Sequence, residues 1–187
     1  VGLQPLSPTP HLRLADLYLA DKKPDTAAQS LRKALEIKPD LLAAQQGLAG
    51  LQVRENKPTE ALGVAQAVQK QRPKEAIGYA LEADIHMSQK KPDAALAALR
   101  AGLKSVPNST ELAVKLHALL GVSSKASEAA QFAGTWLKDH PKDVVFVMHL
   151  GDQALLRRDY AAAERQFQQA VQLNPNNPIA YNNLAWV

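Results

Sequence analysis

Glu82, His86 and His117 are the residues of this chain best suited to chemistry. Glu82 and His86 stand four apart, so on a helix they share one face. One carboxylate and two imidazoles could move protons or hold a metal ion. There is no HExxH pattern and no glycine-rich phosphate loop to support either use. The chain has no cysteine, which excludes disulfides, thiolate zinc sites and a cysteine nucleophile. The simpler expectation is a polar cluster in which the three side chains pair with one another, because buried polar groups need partners. His11, His140 and His149 lie apart and read as surface or capping residues. No catalytic residue, metal ligand or cofactor is assigned.

The elements that position these residues are marked by a period. Ala163, Phe167, Ala170 and Pro175 recur 34 residues earlier as Ala129, Ala133, Trp136 and Pro141. Further steps of 34 give Ala95, Leu99, Gly102, Pro107, then Ala61, Ala65, Val68, Pro73, then Ala27, Leu31, Ala34, Pro39. A fixed period in this range is the signature of a stacked repeat array. The expected division is a lead-in at 1–7, five units at 8–41, 42–75, 76–109, 110–143 and 144–177, and the first helix of a sixth at 178–187.

Each unit reads as two helices. The first helix of unit 1 carries Leu14, Leu17 and Tyr18 as an apolar stripe. The second carries Ala27, Leu31, Ala34 and Leu35 and stops at Lys38-Pro39, because proline cannot continue a helix. Ser109, Asp143 and Asn177 are expected to cap helix N-termini. The composition agrees: 46% of residues are apolar but only 5% aromatic, which suits helices packed through small side chains. The net charge of +4 is spread along the chain and does not by itself imply a nucleic-acid partner. The longest apolar run, Val144 to Met148, is too short to span a bilayer. The chain begins at Val1 without Met and shows no signal-peptide pattern, so it reads as a piece of something longer.

Leu14-Ala15, Tyr18, Ala27, Leu31, Ala34, Pro39 and Leu150-Gly151, Ala163, Phe167, Ala170, Pro175 resemble the tetratricopeptide repeat (TPR) family. The resemblance covers residues 8–177 and the start of a sixth repeat. It implies an all-α solenoid of helix-turn-helix units in a right-handed superhelix, with first helices lining a concave groove that binds a protein or peptide. It therefore implies a scaffold without catalysis; the alternative is an accessory domain of a larger enzyme, with catalysis elsewhere in the parent chain. More narrowly, Tyr181-Asn182-Asn183-Leu184-Ala185-Trp186 is similar to a stretch in bacterial TPR lipoproteins of exosortase and exopolysaccharide (PEP-CTERM) systems. That would imply a periplasmic or cell-envelope export assembly; otherwise a cytoplasmic location is expected.

The groove implied by the resemblance comprises Leu12, Asp16, Leu19, Ile77, Ala80, Leu81, Asp84, Met87, Met148 and Asp152. Val53, Val114, Val145 and Leu155 extend its apolar lining. Such a groove suits an extended or helical segment with apolar anchors and Lys or Arg partners for the carboxylates. The alternative is that each Asp bonds to a neighbouring helix. The turns inside the units hold Lys22, Lys23, Lys57, Lys90, Lys91, Lys125, Arg157 and Arg158, a basic rim. It would serve as a weak, salt-sensitive track for an anionic glycan, lipid headgroup or nucleic acid, although only Tyr160 among these turns could stack on a base. Alternatively it is a solvated edge that complements helix C-termini. The sixth helix, with Ile179, Tyr181, Leu184 and Trp186, is expected either to self-associate or fray, or to dock on the unit before it.

Overall fold

The computed structural model describes residues 7–187. The lead-in expected at 1–7 lies outside the described residues apart from Ser7. The described residues form eleven helices and no strand. In order they are α1 (Thr9–Ala20), α2 (Pro24–Ile37), α3 (Leu42–Arg54), α4 (Pro58–Gln71), α5 (Ile77–Ser88), α6 (Pro92–Ser105), α7 (Thr110–Val122), α8 (Ala126–Asp139), α9 (Val144–Leu156), α10 (Tyr160–Leu173) and α11 (Pro178–Trp186). None is long and apolar enough to cross a membrane.

The period appears directly in the backbone. Every even-numbered helix up to α10 has 14 residues, and their starts are 34 apart. The five described non-glycine residues with positive φ are Lys22, Asn56, Lys90, Ser124 and Arg158, again 34 apart, at 57° to 60°. Each sits just past the end of an odd-numbered helix. The Lys22 N–H donates to the Leu19 carbonyl at 3.1 Å and the Lys23 N–H to the Tyr18 carbonyl at 2.8 Å. That crossed pair is a Schellman motif, which satisfies the last carbonyls of the helix by turning one residue left-handed. The Asn56–Lys57, Lys90–Lys91 and Arg158–Asp159 pairs repeat it. Proline then opens α2, α4 and α6 at a position that needs no N–H.

The turns between hairpins are equally regular. Lys38, Arg72, His140 and Asn174 each precede proline and leave the helical region. Three residues on, the N–H of Leu41, Glu75, Asp143 or Asn177 closes back on the carbonyl of that same residue at 3.1 Å. Ser109, Asp143 and Asn177 cap the helices after them, accepting from Leu112, Phe146 and both Ile179 and Ala180 respectively.

Two compact units result, one ending at Ser105 and the other spanning Val106–Val187. In the first, α1 packs on α2, α3 on α4 and α5 on α6, while α2 meets α3 and α4 meets α5. Ala15, Ala27, Ala34, Ala44 and Leu48 share one core cluster, and Ala49, Ala61, Ala65 and Ile85 share the next. In the second unit α7 packs on α8, α9 on α10 and α10 on α11. Gly151 is required by a close approach here: a Cβ would stand 2.4 Å from Cε1 of the buried Phe167.

Asp143 holds the second unit at a junction of three helices. One carboxylate oxygen caps α9 through the Phe146 N–H at 3.0 Å. The other accepts from the Trp136 indole at 2.9 Å and from the Thr110 hydroxyl at 2.7 Å. Asp143→Ala removes the cap and leaves the buried indole N–H unpaired. The expected loss is about 2–3 kcal/mol of stability. Urea unfolding followed by circular dichroism measures it, and a loss below about 0.5 kcal/mol would contradict the role.

Candidate functional site

Glu82 and His86 do share a face of α5, with His86 Nε2 3.8 Å from Glu82 Oε1. The Gln69 side-chain amide donates to Glu82 at 2.5 Å and to the Gly78 carbonyl at 3.2 Å, tying α4 to α5. His117 is not found paired with them. Its Nδ1 lies 2.9 Å from Nε2 of His149, within the second unit. The reason is packing: His117 lies on α7 and His149 on α9, and these two helices meet. His149 is thus half-buried against Phe146 and His117, not a surface residue. His140 is indeed a capping residue, stacked on Trp136 and 3.1 Å from the Asn108 side-chain oxygen. No group of three metal-binding side chains occurs among the described residues.

The groove residues divide by exposure. Asp16, Asp84 and Asp152 are exposed, and Met87 is partly so. Ala80 is buried at 2% exposure, so it is a packing residue and offers no surface to a partner. Leu12 and Leu81 pack against the two core clusters of the first unit, and Ile77 is half-buried. Leu19 lines a separate cleft with Lys22, Leu51 and Arg54. Met148 and Asp152, by contrast, come together. With Val114, Val145, His149 and Ile179 they line a cleft of about 390 Å³ formed by α7, α9 and α11. Asp152 also accepts from Asn183 of α11 at 3.4 Å, so the bond to a neighbouring helix is present too. Partial desolvation of the carboxyl raises its pKa above the ordinary value.

The basic turn residues have structural work. Lys22, Lys90 and Arg158 are the left-handed residues that end α1, α5 and α9. Lys23 pairs with Asp21 at 2.6 Å and Lys57 with Glu55 at 2.8 Å, and both are close neighbours in sequence. The Glu55 carboxylate raises the pKa of the exposed Lys57. The sixth first helix docks: Ala180 is buried with Val147 and Ala170, and Leu184 lies against Phe167. Ile179, Tyr181 and Trp186 remain exposed on it.

The His117–His149 pair makes a pH prediction. Burial, then the charge of Arg157, lowers the pKa of His117. Burial, then His117, lowers His149 to about 4. Both groups therefore bind protons more readily unfolded, near 6.5, than folded. Stability is full above pH 6.5 and declines as pH falls through that value toward 4. His149→Phe removes one titrating ring and should flatten this decline in thermal melts. A slope equal to that of the parent chain would show that the pair does not govern it.

Residues 18–85 and 148–187 each match a family model described as tetratricopeptide repeat. No curated protein matches the sequence. Among solved structures, a thermophilic TPR protein of Thermus thermophilus is similar at 17% identity and TM-score 0.60, covering 96% of this chain and 98% of that one. PilF of Pseudomonas aeruginosa is similar at 18% identity and TM-score 0.56, covering 96% and 87%. YrrB, described as a TPR protein with an unusual peptide-binding site, is similar at 17% and TM-score 0.50, covering 92% and 89%. The two matched stretches together make up more than half of the sequence, and the chain belongs to the tetratricopeptide repeat family.

Proposed function

We propose that this chain is a non-catalytic scaffold that captures a protein segment on the face made by α7, α9 and α11. The observation that carries this is the cleft in which Met148, Asp152, Val114, Val145 and Ile179 converge. Its walls are apolar and its one carboxylate is exposed. An apolar anchor flanked by Lys or Arg is the segment this chemistry selects. The peptide-binding site named for YrrB supports a peptide as the class of ligand. A bacterial envelope or exopolysaccharide-export assembly is the narrower reading, and it stands on the resemblance of Tyr181–Trp186 alone. The local ion pairs of Lys23 and Lys57 favour a structural use of the basic turns over polymer binding.

Peptides selected by display against the chain test this. Met148→Ala combined with Asp152→Asn should weaken the selected peptide at least about tenfold, roughly 1.4 kcal/mol. Capture should persist in added salt, whereas a polymer held by Lys22, Lys90 and Arg158 would dissociate steeply. Unchanged affinity in the double variant would remove this face from the account.

A further inference from the structure

We infer that a second cleft, between α8 and the α9–α10 hairpin, is a binding site for a small organic acid with an aromatic body and one N–H or O–H donor. It measures about 450 Å³, within the range of small-molecule sites.

Two departures from the period open it. Trp136 stands where the other repeats have Ala34, Val68, Gly102 and Ala170. At Ala34, Val68 and Ala170 the second helix lies on the next first helix, α2 on α3, α4 on α5 and α10 on α11. Trp136 instead packs against Phe132, His140 and Phe146, with ring centroids 3.9 to 6.1 Å apart. Among the described residues α8 makes no contact with α9 comparable to that of α2 with α3 or α4 with α5. Ala133 is the second departure, standing where Leu31, Leu99 and Phe167 fill space elsewhere. Ala65 is equally small, but α4 lies directly on α5 there.

The lining sets the ligand. Ala126, Ala129, Ala130, Ala133 and Ala154 give an apolar wall for a ring. Water against that wall finds few partners, so an apolar body displaces it favourably. Arg157 lines the cleft and is exposed, a guanidinium suited to a carboxylate. Its charge already acts on His117, which lines the same cleft at 7% exposure. Gln166 contributes a side-chain oxygen that is buried without a hydrogen-bond partner and so calls for a donor.

The test titrates the full chain with 3-(4-hydroxyphenyl)propionate by calorimetry and nuclear magnetic resonance. Saturable binding is expected, with shifts at Ala130 and Gln166. Ala130→Leu, at an exposed position, fills the cleft and should abolish binding; Ala126→Leu is a second filling variant. Arg157→Gln in the protein, or the neutral propionamide as ligand, should each weaken binding about tenfold. Removing the ligand hydroxyl, as in 3-phenylpropionate, should also weaken it. The inference is overturned if the acid does not bind saturably, if both filling variants bind as the parent does, or if the amide binds as tightly as the acid.

Discussion

A helix can approach its neighbour only as closely as the side chains between them allow. In this chain that distance is set by one small residue near the start of every second helix. Ala27, Ala61, Ala95, Ala129 and Ala163 are at most 5% exposed. Opposite them in the first helices stand Ala15, Ala49, Ala83 and Gly151, all buried. With methyl groups or hydrogens at the joint, helices pack backbone to backbone and gain dispersion contacts over their length. No hairpin buries its own apolar stripe, so each depends on the next. The prolines after α2, α4, α8 and α10 and the left-handed residues after the odd helices keep the spacing that brings alanine to alanine.

The second unit shows the effect of relaxing that constraint. His117 takes the small position in α7, and Trp136 takes one in α8. Bulk at these places brings polar atoms into the interior, and each needs a partner. The imidazole finds His149 and the indole finds Asp143. Both solutions tie elements together, but they leave α8 standing off α9. The same substitutions thus account for the aromatic cluster, the histidine pair and the open cleft.

Much of the architecture was legible in the residues. Alanine and proline at a 34-residue period located the helix pairs, and Ser109, Asp143 and Asn177 announced their capping roles. The side-chain partners were less legible. Glu82 with His86 followed from helical spacing, but the partner of His117 lies 32 residues away on another helix. Its nearness depends on how α7 and α9 pack, which local spacing does not encode. Ala80 illustrates the converse: its helical position matched a groove, yet packing buries it. Trp136 was the available signal for a disturbed joint, because an indole in a column of Ala, Val and Gly cannot be accommodated without a shift.

The central claim is that small residues at the joints, and not helix propensity, hold the hairpins together. Helix α4 permits a direct measurement, since Ala61 is buried at a joint and Ala67 on the same helix is exposed. The change from Ala to Leu alters intrinsic propensity equally at both. Urea unfolding should show Ala61→Leu losing about 1–3 kcal/mol, while Ala67→Leu stays within about 0.5 kcal/mol of the parent. Equal effects at the two positions would contradict the account.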